Sequence, residues 1–204
     1  MYSRIVSDSE WGDKKVAENY LERYWLSENE YRSIWEPIQK QIFVHEKDGL
    51  TNFIFADGFK IFAFRGGCLF DQEDFERLQR CFTAIGESYF VIVENSFGNQ
   101  ELVPRFRMKF PTVIDWKELI SGNFVSSILV EMPHKEYFVF GNSGGWGKYV
   151  ANDYKDPLDI LGFKPEHGTV FYEELRTSAE ENAEIYTWLP QLYKKRLEKP
   201  GICD

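Results

Sequence analysis

The sequence predicts an α+β fold: a single domain with a mostly antiparallel sheet and helices packed on one face. Three observations carry this. Apolar residues recur at helical spacing near both ends of the chain. Between them the hydrophobic period shortens, and short aromatic-rich segments alternate with Gly, Pro, Asn and Asp. The connections between those segments are mostly too short for crossovers, so neighbouring strands run antiparallel. The expected layout is an N-terminal helical segment over 1–48, a sheet with inserted helices over 50–172, and a C-terminal helix over 176–199.

From Asp13 to Leu26, Val16, Ala17, Tyr20, Leu21, Tyr24 and Trp25 form one helical stripe. Ser27-Glu-Asn-Glu30 reads as a capping box opening a second helix with Tyr31, Ile34, Trp35 and Ile38 on one face. Pro37 lies inside that pattern and predicts a break or kink near Glu36. Asn52–Ala56 and Phe59–Phe64 flank Asp57-Gly58, a dipeptide that favours a type I′ hairpin turn. Asp71 reads as an N-cap before the stripe Phe75, Leu78, Phe82 and Ile85.

Tyr89–Val93 is a short apolar strand. Arg105–Phe110 alternates strictly, which predicts one basic face and one buried face. Asp115–Ile120 predicts a helical turn closed by Gly122. Strands are expected over Phe124–Glu131, Tyr137–Phe140 and Tyr149–Ala151, and a short helix over Pro157–Leu161 ending at Gly162. Ser178-Ala-Glu-Glu181 reads as a second capping box for the last helix, which Pro190 should bend.

Composition narrows the function classes. Of 204 residues, 43% are hydrophobic and 28% charged, the balance of a globular chain rather than a disordered one. No apolar run approaches the roughly 20 residues that cross a bilayer, and the first ten residues lack the apolar stretch of a signal peptide, so the expected location is the cytoplasm. Cys68, Cys81 and Cys203 form no CxxC pair and cannot all be disulfide-bonded; two buried thiols and one exposed thiol are expected.

The net charge of −9 disfavours nucleic acid. The basic run Lys194–Arg196 with Lys199 closes a predicted helix, where cations complement the dipole. Acid is concentrated in residues 1–102, which carry −7 against −2 for the remainder. Such a half suits a basic partner, and it also serves solubility.

The segment with most chemical content is Gly141-Asn-Ser-Gly-Gly-Trp-Gly-Lys148, expected as a glycine-rich tip between two strands. It is not a phosphate loop: Lys148 is followed by Tyr149, and a strand rather than a helix comes next. The tip is either a turn with positive φ angles or a recognition loop. In the second case Trp146 supplies an anchoring ring, with Asn142 and Ser143 as polar contacts.

Gly141–Gly145 also satisfies GxSxG, but the nucleophile elbow needs a helix after the serine. Glu94 and Asp153 end strands and could face each other as an acid/base pair, or simply form turns. His45, His134 and His167 are far apart in sequence, share no metal-binding spacing, and read as solvated loop residues. The acids Asp71, Glu73, Asp74 and Glu76 read as helix-start residues, or as part of an acidic binding patch.

Residues 136–163 resemble the second half of SUKH-type immunity proteins, bacterial proteins that shield cells from secreted nuclease toxins. The resemblance lies in a strand entering Phe140-Gly141, the turn Ser143–Gly145, the strand from Tyr149 to Asp153, and Pro157 with a short helix. The family's N-terminal Leu-Pro pair and Asn-Gly-Gly turn are not present. The resemblance implies an acidic α+β module that occludes a toxin's active site, with Trp146, Lys148 and Tyr149 at the tip and Glu94, Asp153 and the Asp71–Glu76 acids nearby.

The expectation is therefore a non-enzymatic binding protein whose partner is basic, such as a nuclease toxin. It would need no cofactor or metal and bind neither nucleic acid nor membrane. The alternative is a small hydrolase or transferase using Ser143 or the Glu94/Asp153 pair, and a third class is a structural accessory protein.

Overall fold

The computed structural model describes residues 14–44, 54–65, 69–95, 103–104, 106–121, 136–151 and 158–181. In chain order these form α1 (Lys14–Tyr24), a composite α2 (Glu28–Glu30, Tyr31–Trp35 and Glu36–Ile42), β1 (Lys60–Arg65), α3 (Gln72–Ala84), β2 (Tyr89–Glu94) and β3 (Arg107–Pro111). Then come α4 (Trp116–Leu119), β4 (Tyr137–Gly141), β5 (Trp146–Ala151), β6 (Leu158–Phe163), a 3₁₀ turn (Pro165–His167) and α5 (Gly168–Glu181). The six strands make one sheet in the order β1-β6-β5-β4-β2-β3, and every neighbouring pair is antiparallel. The expected α+β class is the observed one.

Side chains alternate across the sheet and build two aromatic cores. On one face Phe62, Phe90, Ile92, Met108, Phe110, Val139, Trp146, Leu161 and Phe163 pack with buried residues of α1, α3 and α5. On the other, Val91, Val93, Phe138, Phe140, Tyr149 and Ile160 meet Tyr31, Trp35 and Ile42 of α2 and the segment around Phe55. Helices thus lie mainly on one face, as expected, with α2 covering the other. Burial of this kind contributes about 25 cal/mol per Å² of apolar surface, which is why large rings fill both layers.

The helix starts follow their caps. Ser27 Oγ accepts from Glu30 N at 3.2 Å, Asp71 Oδ1 from Asp74 N at 2.8 Å, and Asp115 Oδ1 from Glu118 N at 2.9 Å. Pro37 does not break α2. The change the sequence placed near Glu36 takes the form of a π turn over Tyr31–Trp35, with Glu36 N bonded to Tyr31 O, and α-helix resumes across the proline.

Several expectations need correction. Pro157–Leu161 is not a helix: Leu158–Phe163 is a strand held between β1 and β5. It is covered on both faces, so its apolar run lacks the alternation that marks a half-exposed strand. The last described helix starts at Gly168, ten residues before Ser178, so Ser178 lies inside it rather than capping it. Asn52–Ala56 does not pair with β1 among the described residues. Phe55 instead bridges Phe43, and β1 pairs with β6. Gly58 has φ +91° and no non-glycine among the described residues has positive φ, so the Asp57-Gly58 turn follows the type II pattern rather than I′.

The basic face of β3 is not free either. Arg107 is buried, donating Nη1 to Pro104 O at 2.6 Å beneath the Trp25 ring, and Lys109 Nζ meets Glu30 Oε1 at 2.7 Å. The expected strand over Phe124–Glu131, the end of the C-terminal helix with Pro190, and Cys68, Cys203, His45 and His134 lie outside the described residues.

Candidate binding surface

Strand register brings three turns to one end of the sheet. Tyr89 pairs with Pro111, Phe90 with Gly141, and Phe140 with Gly147. The turn after α3, the turn after β3 and the β4–β5 turn therefore stand side by side. Among their exposed residues are Ser88, Tyr89, Val113, Asn142 and Ser143. Tyr89 is 43% and Val113 85% exposed, large values for an aromatic and a β-branched side chain.

These turns are fixed from below. Asn142 Oδ1 accepts from Tyr89 N at 2.8 Å and Ser88 N at 3.2 Å. Thr112 Oγ1 donates to Glu87 O at 2.8 Å, joining the turn after β3 to the one after α3. The Glu87 side chain is buried and serves as the common acceptor. It takes the Ser143 backbone N–H at 3.1 Å, the Ser143 hydroxyl, and Trp146 Nε1 at 3.0 Å. Ser143 Oγ in turn accepts from Gly145 N at 3.0 Å. Gly144 alone in this turn needs positive φ, at +67°.

Of the residues singled out from sequence, Asn142 and Ser143 are on this surface. Trp146 is not at the tip. It is the first residue of β5, with no exposed surface, stacked on Phe82 at 4.4 Å between ring centroids. The adjacent glycines reflect crowding: a Cβ on Gly147 would lie 2.6 Å from Phe43 Cζ, and one on Gly145 would lie 2.6 Å from His167 Nε2.

Tyr149 is buried on the opposite face, its hydroxyl donating to Glu136, which also takes Asn95 Nδ2 at 3.0 Å. Lys148 is buried on the Trp146 face, with Nζ 2.7 Å from Asp159 Oδ2. These three positions were expected as presented side chains and are interior ones. The reason is that β5 is central and covered on both sides.

Glu94 is largely buried at the far end of β2, five residues from Tyr89, so the sheet separates it from the turns. Asp153 lies outside the described residues, so the Glu94/Asp153 pair is not assembled among them. Asp71, Glu73 and Glu76 are exposed at the start of α3, and Asp74 is half-buried. His167 is half-buried against Gly145 rather than solvated.

Sequence reasoning missed Glu87, Glu136 and Asp159, three buried carboxylates that accept from donors on β5 or its turn. Glu87 sits in Gly-Glu-Ser and Glu136 follows a lysine, contexts that read as surface turns. The available signal was indirect: Trp146 and Tyr149 each bring a donor that a core must satisfy.

Among the described residues no group of three or more His, Cys, Asp or Glu is arranged to hold a metal ion, and no helix is long and apolar enough to cross a membrane. No family model matches the chain, and no curated protein or solved structure matches it.

Proposed function

We propose that the chain is a non-enzymatic acidic binding protein of the toxin-immunity kind, which neutralises a basic partner such as a nuclease by covering its active site. The observation that carries this reading is the exposed Tyr89, Val113, Asn142 and Ser143 surface on turns already pinned by Glu87 and Asn142. A surface ordered before contact loses little conformational freedom on binding, and an exposed ring beside polar groups is a common energetic anchor. The net charge of −9 steers a basic partner toward the molecule. The resemblance of residues 136–163 to SUKH-type immunity proteins supports the same reading, and the bacterial cytoplasm is the location that goes with it.

The alternative hydrolase reading gains one observation, the Ser143 hydroxyl on the Glu87 carboxylate. That hydroxyl also accepts from Gly145 N, and the same carboxylate holds Trp146. Both groups thus serve to fix the turn, which favours the binding reading.

The test is affinity capture from the native host, comparing the wild type with a Tyr89→Ser/Val113→Ser double variant shown by circular dichroism to be folded. The wild type should retain a basic protein that is released by raised salt, and the double variant should lose it. Equal retention of that protein by the variant overturns the proposed surface.

A further inference from the structure

Lys148 and Asp159 form a buried ion pair between β5 and β6. The strands are antiparallel neighbours in which Lys148 faces Leu161 and Val150 faces Asp159, so the two side chains are diagonal neighbours on one face. Nζ lies 2.7 Å from Oδ2, and the two side chains are 5% and 7% exposed. The Phe70 ring lies 4.9 Å from Nζ, and Nζ also donates to Leu69 O. Asp159 Oδ1 is buried and has no hydrogen-bond partner among the described residues.

This is a poor resting place for two ions. Removing both charges from water costs more than their attraction readily returns, and the orphaned oxygen deepens the deficit. Burial holds the Asp159 carboxyl above the usual carboxylate range even though Lys148 pulls it down. Proton transfer within the pair yields a neutral amine and a neutral acid. The first then carries a free lone pair, and the second carries an electrophilic carbon next to it.

A third carboxyl, Asp74 on α3, interacts electrostatically with both Lys148 and Asp159, and burial holds it too above the usual range.

We propose that Lys148 and Asp159 condense to an intramolecular isopeptide bond that ties β5 to β6. The Nζ lone pair adds to Asp159 Cγ, forming the C–N bond. The proton leaving nitrogen passes through Asp74 to the departing Oδ, the C–O bond breaks, and one water is released. Amine plus carboxylic acid gives amide plus water, with no oxidant or reductant required. The product is a neutral planar amide whose N–H still reaches toward Leu69 O, so two buried charges disappear. Fixed contact between the reacting groups supplies the effective concentration that the same pair lacks in water.

The measurement is the intact mass of the purified full-length chain, followed by fragmentation of its protease digest. The expected mass is one water below that of the sequence, with the loss mapped to a branched peptide joining Lys148 to Asp159. Lys148→Arg, which keeps the charge but cannot condense in this way, should show the full mass. Freshly purified Asp74→Asn should contain a mixture, losing water about a hundredfold more slowly, while Asp74→Glu should recover part of the rate. A wild-type mass equal to the sequence mass after prolonged incubation overturns the proposal, as does a water loss that maps elsewhere. That test needs no variant to fold. Equal rates in wild type and Asp74→Asn would remove Asp74 from the reaction.

Discussion

Replacing Trp146 by alanine should unfold much of what the sheet supports. The side chain has no exposed surface and stacks on Phe82 at 4.4 Å and 27° between ring planes. Truncating a buried tryptophan costs about 3–5 kcal/mol in lost transfer energy and cavity. Its Nε1 also leaves Glu87, a buried carboxylate that keeps its Ser143 donors, which adds about 1 kcal/mol. The sum of about 4–6 kcal/mol is comparable to the whole stability of many domains.

Trp146→Phe separates the two terms. It keeps a ring against Phe82 and loses the N–H, so it should cost about 1–3 kcal/mol. Urea unfolding followed by far-ultraviolet circular dichroism measures both, with the slope m expected to hold while the midpoint falls. At about 2–4 °C per kcal/mol for a chain of this size, the alanine variant should melt at least about 8 °C lower. An alanine variant within about 1 kcal/mol of wild type would refute the placement of this ring in the core.

Gly162→Ala should destabilise although it adds only a methyl group. The new Cβ would lie 2.7 Å from Phe55 Cγ, the ring atom nearest the backbone, so the whole ring must move. Overpacking of this kind costs about 1–3 kcal/mol in urea unfolding, and a neutral result would show that Phe55 does not press on β6.

Cys81 should resist alkylation in the folded chain. Burial, helped by Glu174, pushes its thiol from the ordinary value near 9 up to about 12. At about pH 8 the folded thiolate is then about a thousandfold scarcer than the unfolded one. Because the folded value is the higher one, this thiol's contribution to stability is present below about pH 9 and is lost as pH rises toward about 12. Peptide-resolved alkylation with and without urea checks this, and equal rates would refute it.

The sequence disclosed the parts of the fold governed by local physics. Ser27, Asp71 and Asp115 cap helices because a short oxygen beside a free N–H acts within three residues. The stripes Tyr20–Tyr24 and Phe75–Phe82 face the core because one side of each helix stays wet. What failed was whatever depended on being covered twice. β6 reads as a helix because both its faces are buried, and Trp146 reads as an exposed anchor because its glycine neighbours mimic a flexible tip. Those glycines answer to contacts from Phe43 and His167, more than 20 residues away in either direction, which no local window contains. The surface turns were legible only at Asn142 and Ser143, since Tyr89 and Val113 join them through strand register alone.

Glu87 makes the exposed turn and the interior one mechanical unit. The same carboxylate holds Ser143 at the surface and Trp146 in the core, so neither can shift without unsettling the other. A loss of binding on changing Trp146 would therefore say nothing about contact, because the turn would lose its anchor along with the core. Tyr89 and Val113 differ in this respect. Their side chains project from the same end of the sheet but none of the turn's hydrogen bonds pass through those side chains, since Tyr89 contributes only backbone groups, its N–H to Asn142 Oδ1 and its carbonyl to Asn142 N. Substitutions there test recognition while leaving the turn's hydrogen bonds in place, so the proposed binding role is tested most directly on those two side chains.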